Sequence, residues 1–379
     1  MNGFDLSTVN GIYIGNQLAS AVYCGSNLIW EAHNYANDWF TIEAIDNCDI
    51  TFTISEVEYL VYSIGDAQSN GWTGLLADVN YTVSLQSGEK MCLAGKYDES
   101  KYTNYYGTFS STGRFKVYGN IMSLLTYEKS QGDMDGSAEY ADFRNLTDLS
   151  SYPTYIFSKL FENCTYLVDA SNLVLPATTL VNYCYHRMFY GCTSLTKAPK
   201  LPATTLADYC YYYMFYGCTS LTKAPKLPAT TLATYCYAYM FHSCTALTTA
   251  PALPATTLTN SCYRQMFRGC TVLYTAPELP ATTLANYCYA YMFYGCTSLT
   301  RAPELPATTL ITYCYSYMFY GCTSLYYIKC LAVSNGSSTY TMYWLNNVSS
   351  SGTFIKHSSM TSWTTGVNGI PSGWSILDA

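Results

Sequence analysis

The stretch Leu201-Pro202-Ala203-Thr204-Thr205-Leu206-Ala207-Asp208-Tyr209-Cys210-Tyr211-Tyr212-Tyr213-Met214-Phe215-Tyr216-Gly217-Cys218-Thr219-Ser220-Leu221-Thr222-Lys223-Ala224-Pro225-Lys226 decides how the chain is read. Its opening hexapeptide, Leu-Pro-Ala-Thr-Thr-Leu, begins at Leu175, Leu201, Leu227, Leu253, Leu279 and Leu305, a spacing of 26 residues each time. A degenerate copy, Leu160 to Leu167, lies upstream in a register of 28, and a partial copy ends at Leu331. One repeat cannot bury its own apolar face, so copies at a fixed period must stack and share a core. That predicts ladders of identical side chains: Leu195 to Leu325, Met188 to Met318 and Phe189 to Phe319.

Within a copy, Leu206, Cys210 and Met214 recur at i, i+4 and i+8, the stripe of one helical face. Thr205 reads as an N-cap, Asp208 as its capping-box partner and Gly217 as the stop, which predicts a helix over 205–216. Pro225 and Pro228 limit the following strand to about Leu221–Ala224, since proline cannot donate to a ladder. The predicted fold class is therefore an α/β solenoid of 26-residue period, preceded by all-β N-terminal modules.

Four segments are expected: a small β anchoring module over 1–35, a β-sandwich-like domain over 36–130, the solenoid over 147–332 and a C-terminal cap over 333–379. Alternation in Asp49–Ile54 and Tyr81–Leu85 marks the strands of the second segment. The Gly, Asp and Ser loop at 130–138 contains Asp133-Met134-Asp135-Gly136 but lacks the other ligands of a calcium loop, so it reads as a solvated turn.

Composition narrows the function. Of 379 residues only 11% are charged, net charge is −7 and tyrosine reaches 41. Phosphate neutralisation needs dense Lys and Arg, so nucleic-acid binding is not expected. No apolar run is long enough to insert in a membrane, and the start, with no basic region followed by an apolar run, does not read as a secretory signal. Most of the 17 cysteines form two files, Cys184 to Cys314 and Cys192 to Cys322. Pairs eight residues apart do not suit zinc, and stacked thiols point in parallel rather than at each other, so free buried thiols are expected. No cofactor is implied. The four histidines, His33, His186, His242 and His357, occupy no catalytic pattern; His186 and His242 read as solvated surface residues, and no enzymatic role is expected.

What varies while the scaffold does not are His186/Arg187, Tyr212/Tyr213, Ala238/Tyr239, Arg264/Gln265, Ala290/Tyr291 and Ser316/Tyr317, with Lys197, Lys200, Lys223 and Lys226 giving way to Glu278 and Glu304. The candidate binding residues are Lys197, Lys200, Lys223, Lys226, Tyr212, Tyr213, Tyr239, Tyr291 and Tyr317. Tyrosine offers rigid amphipathic contact to protein or sugar.

The Met-Phe-Tyr-Gly-Cys-Thr-Ser-Leu core at Met188–Leu195 and its copies resembles the BspA-type leucine-rich repeat, over about residues 150–332. Added residues before the core and the Ala-Pro in the strand depart from the usual shorter repeat. Such proteins are similar to surface adhesins of gut and oral bacteria, and the repeats also occur in proteins of phages of Bacteroides-like hosts. The opening Val9–Gly15 through Leu28–Trp30 looks like short β-modules at the start of phage virion proteins. The resemblance implies a virion fibre or decoration protein, made in the host cytoplasm. Ile12, Tyr13, Ile14 and Trp30 would attach it to other virion proteins, and the solenoid would hold a host surface protein or glycan. A homo-oligomer is compatible with this. A bacterial cell-surface adhesin is the alternative, and a carbohydrate-binding or glycan-active protein the second.

Overall fold

In a computed structural model, residues 13–14, 17–18, 21–24, 27–31, 39–54, 57–65, 72–76, 78–97, 107–125, 146–360 and 363–379 are described. Ile12 and the 130–138 loop lie outside them. Two short antiparallel pairs come first: β1 (Tyr13–Ile14) with β2 (Gln17–Leu18), and β3 (Ala21–Cys24) with β4 (Asn27–Glu31).

The next eight strands are β5 (Phe40–Ala44), β6 (Cys48–Ile54), β7 (Val57–Ile64), β8 (Thr73–Leu75), β9 (Tyr81–Leu85), β10 (Lys90–Tyr97), β11 (Gly107–Ser111) and β12 (Phe115–Asn120). Alternation in β6 buries Cys48, Ile50, Phe52 and Ile54. β11, β6 and β9 form one antiparallel sheet. The other sheet runs β12-β5-β10-β7-β8 and gains β13 (Leu167–Val174) in parallel on β12. The first repeat thus continues a sheet already built. A run of rings follows the same path: Phe40, Phe109, Phe161 and Phe189 lie at successive centroid distances of 5.7, 5.6 and 5.3 Å.

From there the 26-residue copies lie on one another. The Leu195 to Leu325, Met188 to Met318 and Phe189 to Phe319 ladders are wholly buried, in one core continuous with the N-terminal sheets. Each buried apolar side chain stabilises by roughly 1.5–3 kcal/mol relative to exposure.

The helix predicted over 205–216 is not formed; among the described residues there is no α-helix, only a 3-10 turn at Ile121–Leu124. The architecture is all-β and turns. Residues 207–218 are a run of overlapping turns in which backbone N–H groups alternate in direction. Cys210, Tyr212, Met214, Tyr216 and Cys218 donate three residues back, while Tyr209, Tyr211, Tyr213, Phe215 and Gly217 donate to Thr234, Cys236, Ala238, Met240 and His242 of the next copy, at 2.8–3.2 Å. Every second turn has positive φ at its third residue (Tyr209 58°, Tyr213 59°, Gly217 70°), as a type II turn requires.

The spacing explains the difference. Helices pack 8–10 Å apart, whereas stacked strands sit about 4.8 Å apart. Outer rings of successive copies lie 4.6 and 4.8 Å apart at Tyr183–Tyr209 and Tyr209–Tyr235, too close for a helix per copy. The turn ribbon satisfies its backbone half inward and half along the stack. The presumed cap also works between copies: Asp208 Oδ1 accepts from Thr234 N at 2.8 Å.

On the opposite side proline keeps the ladder to single parallel bridges such as Lys223 to Thr249. Regular pairing returns at β14 (Tyr327–Cys330), which pairs in parallel with β15 (Gly352–Lys356), and that with β16 (Trp374–Asp378). Residues beyond 333 therefore extend the stack. Trp344 stacks on Tyr315 at 6.2 Å and Trp363 on Trp344 at 5.7 Å.

Candidate recognition surface

The turn ribbon buries residues in doublets, Cys210-Tyr211 and Met214-Phe215, and turns the alternate doublets outward, Tyr212-Tyr213 and Tyr216-Gly217. Copies in register then align outward side chains into files. One contains Tyr155, Tyr183, Tyr209 and Tyr235, and resumes at Tyr287 and Tyr313. A second contains Tyr213 and Tyr239, at 4.4 Å, and resumes as Tyr291, Tyr317 and Tyr343. A third contains Tyr190, Tyr216 and His242, and resumes as Tyr294 and Tyr320. Most of these rings stack face to face, so the files present ring edges and hydroxyls to solvent. Stacking a sugar on a tyrosine face is restricted accordingly.

The candidate tyrosines fall on this surface. Tyr213 and Tyr239 touch, as do Tyr291 and Tyr317, and Tyr212 stacks on His186 at 5.7 Å. Burial raises the phenol pKa of Tyr212, Tyr213, Tyr239 and Tyr317. The candidate lysines lie elsewhere, on the segment after the buried leucine. Lys197 pairs with Asp169 at 3.0 Å; Lys200, Lys223 and Lys226 are exposed. Among the described residues no hydrogen bond or cation–π contact joins these lysines to these tyrosines. Tyr13 and Ile14 lie in β1 and Trp30 in β4.

The six repeat copies recognised by the sequence profile of the BspA type leucine rich repeat region span residues 139–274 and 237–365, more than half of the chain. The chain belongs to the BspA-type leucine-rich repeat family. No curated protein and no solved structure matches it.

In this BspA-type chain the conserved-looking residues of the copies have structural work. The 14 cysteines from Cys164 to Cys330 are free and buried. In the second file the thiol donates across copies: Cys218 Sγ to Phe189 O, Cys244 to Phe215 O and Cys270 to Phe241 O, each at 3.1 Å. A small apolar group with one weak donor suits that place. Burial pushes the Cys210, Cys262 and Cys296 thiols up to about 12, far from the nucleophilic thiolate. Among the described residues no group of three or more His, Cys, Asp or Glu is placed to hold a metal, and no helix is long and apolar enough to cross a membrane.

The histidines are not simply solvated. His186 stacks on Tyr212, and Ser158 Oγ lies 3.2 Å from its Nδ1; His242 stacks on Tyr216 at 4.5 Å. Both imidazoles stand in ring positions. Burial, with Arg187 and Lys159 nearby, lowers His186 to about 3, and burial with Arg268 nearby lowers His242 to about 4.

Sequence reasoning noted Arg264/Gln265 as a variable pair and passed over Ser261 and Arg268. All four lie in one copy, and three of them interrupt the three ring files at once: Ser261 the first, Gln265 the second, Arg268 the third. The signal was present as simultaneous change at every outward position of one repeat. Its meaning depends on knowing that the neighbours are stacked rings.

Proposed function

We propose that the chain is a non-enzymatic recognition protein whose stacked repeats form a solenoid and present the tyrosine-rich ribbon to a surface protein or glycan. The observation that supports this is the division of each copy. The inward doublets repeat almost unchanged, while the outward doublets change from copy to copy on a rigid pitch. A rigid array of phenols resembles the composition of binding surfaces elsewhere.

The same reading places the chain on a phage particle, as a fibre or decoration protein assembled in the host cytoplasm. Free thiols at the 14 cysteines from Cys164 to Cys330 favour folding in a reducing compartment, where mispairing does not compete. Attachment would run through the N-terminal strands. Mass spectrometry of purified particles should find the intact chain, and deletion of residues 1–35 should remove it from particles while the repeats still fold. Recovery solely from bacterial outer-membrane fractions would instead mark a cell-surface adhesin.

A further inference from the structure

We infer that the copy spanning residues 257–276 holds an oxyanion-binding site, built on Arg264 and Arg268, for the carboxylate or sulfate of an acidic saccharide. This deepens the adhesive reading of the ribbon and rests on it.

The interior of this copy is ordinary. Tyr263 stacks between Tyr237 and Tyr289 at 5.9 Å each, and Phe267 between Phe241 and Phe293 at 5.8 and 5.7 Å. Outside, three rings are missing together, and guanidinium groups lie against the exposed faces. Arg264 sits over the Tyr287 ring at 5.4 Å, beside the place that Ser261 leaves open. Arg268 sits over Tyr294 at 4.4 Å and Tyr291 at 5.8 Å. In its own file Arg264 stands between Ala238 and Ala290, both small and buried. Gln265 fixes the arrangement: its Nε2 donates to Tyr239 Oη at 2.8 Å, and Arg268 Nη1 donates to its Oε1 at 3.0 Å.

Neither arginine has a carboxylate. Among the described residues no ion pair involves Arg264 or Arg268, although both are half-buried. Arg264 Nε is buried without a partner, as is Arg187 Nε, so what separates the two arginines is the ion pair. Arg187, on the same ribbon, shows the contrast. It too lies over two tyrosines, Tyr190 at 5.1 Å and Tyr213 at 5.3 Å, but Glu162 from the preceding copy meets its Nη1 at 3.2 Å. Where the chain needs a guanidinium on this surface for its own sake, it supplies the anion. At Arg264 and Arg268 the anion is left to come from outside.

Each guanidinium carries a planar donor fork of the kind that suits carboxylate or sulfate. The surroundings favour a sugar carrier over a peptide. The hydroxyl edges of Tyr239, Tyr287, Tyr291 and Tyr294 suit a polyol. The ribbon's N–H groups are already committed within the turn or to the next copy, which leaves no backbone edge for strand addition.

The test is titration of the full-length protein with sialyllactose, sulfated lactose, neutral lactose and a glutamate-rich peptide at fixed ionic strength. The acidic sugars should bind at least tenfold tighter than lactose. Arg264→Gln and Arg268→Gln should each weaken that binding at least tenfold, and Lys90→Gln, which removes the same charge from the exposed start of β10, should leave it unchanged. If a glutamine variant fails to fold, Arg264→Lys keeps the charge and loses the fork, and should still weaken binding. Equal binding of lactose, retained affinity in the arginine variants, equal loss in Lys90→Gln or preference for the peptide would each overturn the site. A cell-binding assay separates the two readings. Cells held equally by wild type and the double variant leave the ribbon adhesive and remove the anion site; cells held by neither remove the adhesive reading too.

Discussion

At the scale of single residues, the ribbon tolerates left-handed backbone at tyrosine, which costs about 1–2 kcal/mol per L-residue. Tyr209 and Tyr213 bear it at residues whose own N–H donates to the next copy; Gly217 avoids it, whereas Ser243 at the equivalent place, φ 60°, does not. Gly295 isolates the effect, because its φ is +71° and nothing lies within 4 Å of where a Cβ would stand. Gly295→Ala should destabilise by about 1 kcal/mol in denaturant titration, through backbone alone. Cys244→Ala should cost about 1–3 kcal/mol, since it removes both buried volume and the thiol donor to Phe215 O. In the folded protein the 14 thiols from Cys164 to Cys330 should resist an aromatic disulfide reagent and react only as denaturant unfolds the chain.

At the scale of the element, doublets spaced four apart fit a helical face and a turn ribbon equally well, which is why Leu206, Cys210 and Met214 read as helix. The inward ladders were legible because burial follows the period whatever the local backbone. The helix was not, because nothing within one copy states the distance to the next, and that distance decides. Likewise Arg264 and Gln265 stood out as variable, but a gap in a ring file is a property of three successive copies. The same logic predicts what deletion does. Removing residues 227–252 joins Lys226 to Leu253 and preserves every register, with Asp208 facing Asn260 in place of Thr234. The shortened protein should unfold cooperatively within a few degrees of the parent, because stability sums over near-identical interfaces. Removing thirteen residues from the same place should abolish folding, measured by circular dichroism.

At the scale of the molecule, the N-terminal sheets and the repeats share a core, so stability is expected to respond as a whole. His186 and His242 make it depend on pH. Their folded values, about 3 and about 4, lie below the ~6.5 of an unfolded histidine. Between those limits the unfolded chain binds more protons, so the stabilisation is complete above about pH 6.5 and is lost as pH falls. Each site should contribute a loss on the order of 2 kcal/mol by pH 4. Denaturation between pH 7 and 5 should show the slope, and His186→Tyr with His242→Tyr, the ring that adjoining copies use, should flatten it.

The alternating N–H groups of the ribbon have a mechanical consequence. Bonds that run from copy to copy tie each repeat to the next, so a pull on the two ends of the repeats loads the interfaces in series and opens them one at a time. Each release frees 26 residues, a contour of about 90 Å. Stretched between two anchors, such a protein would lengthen in even steps at modest force, a shock absorber rather than a rigid strut.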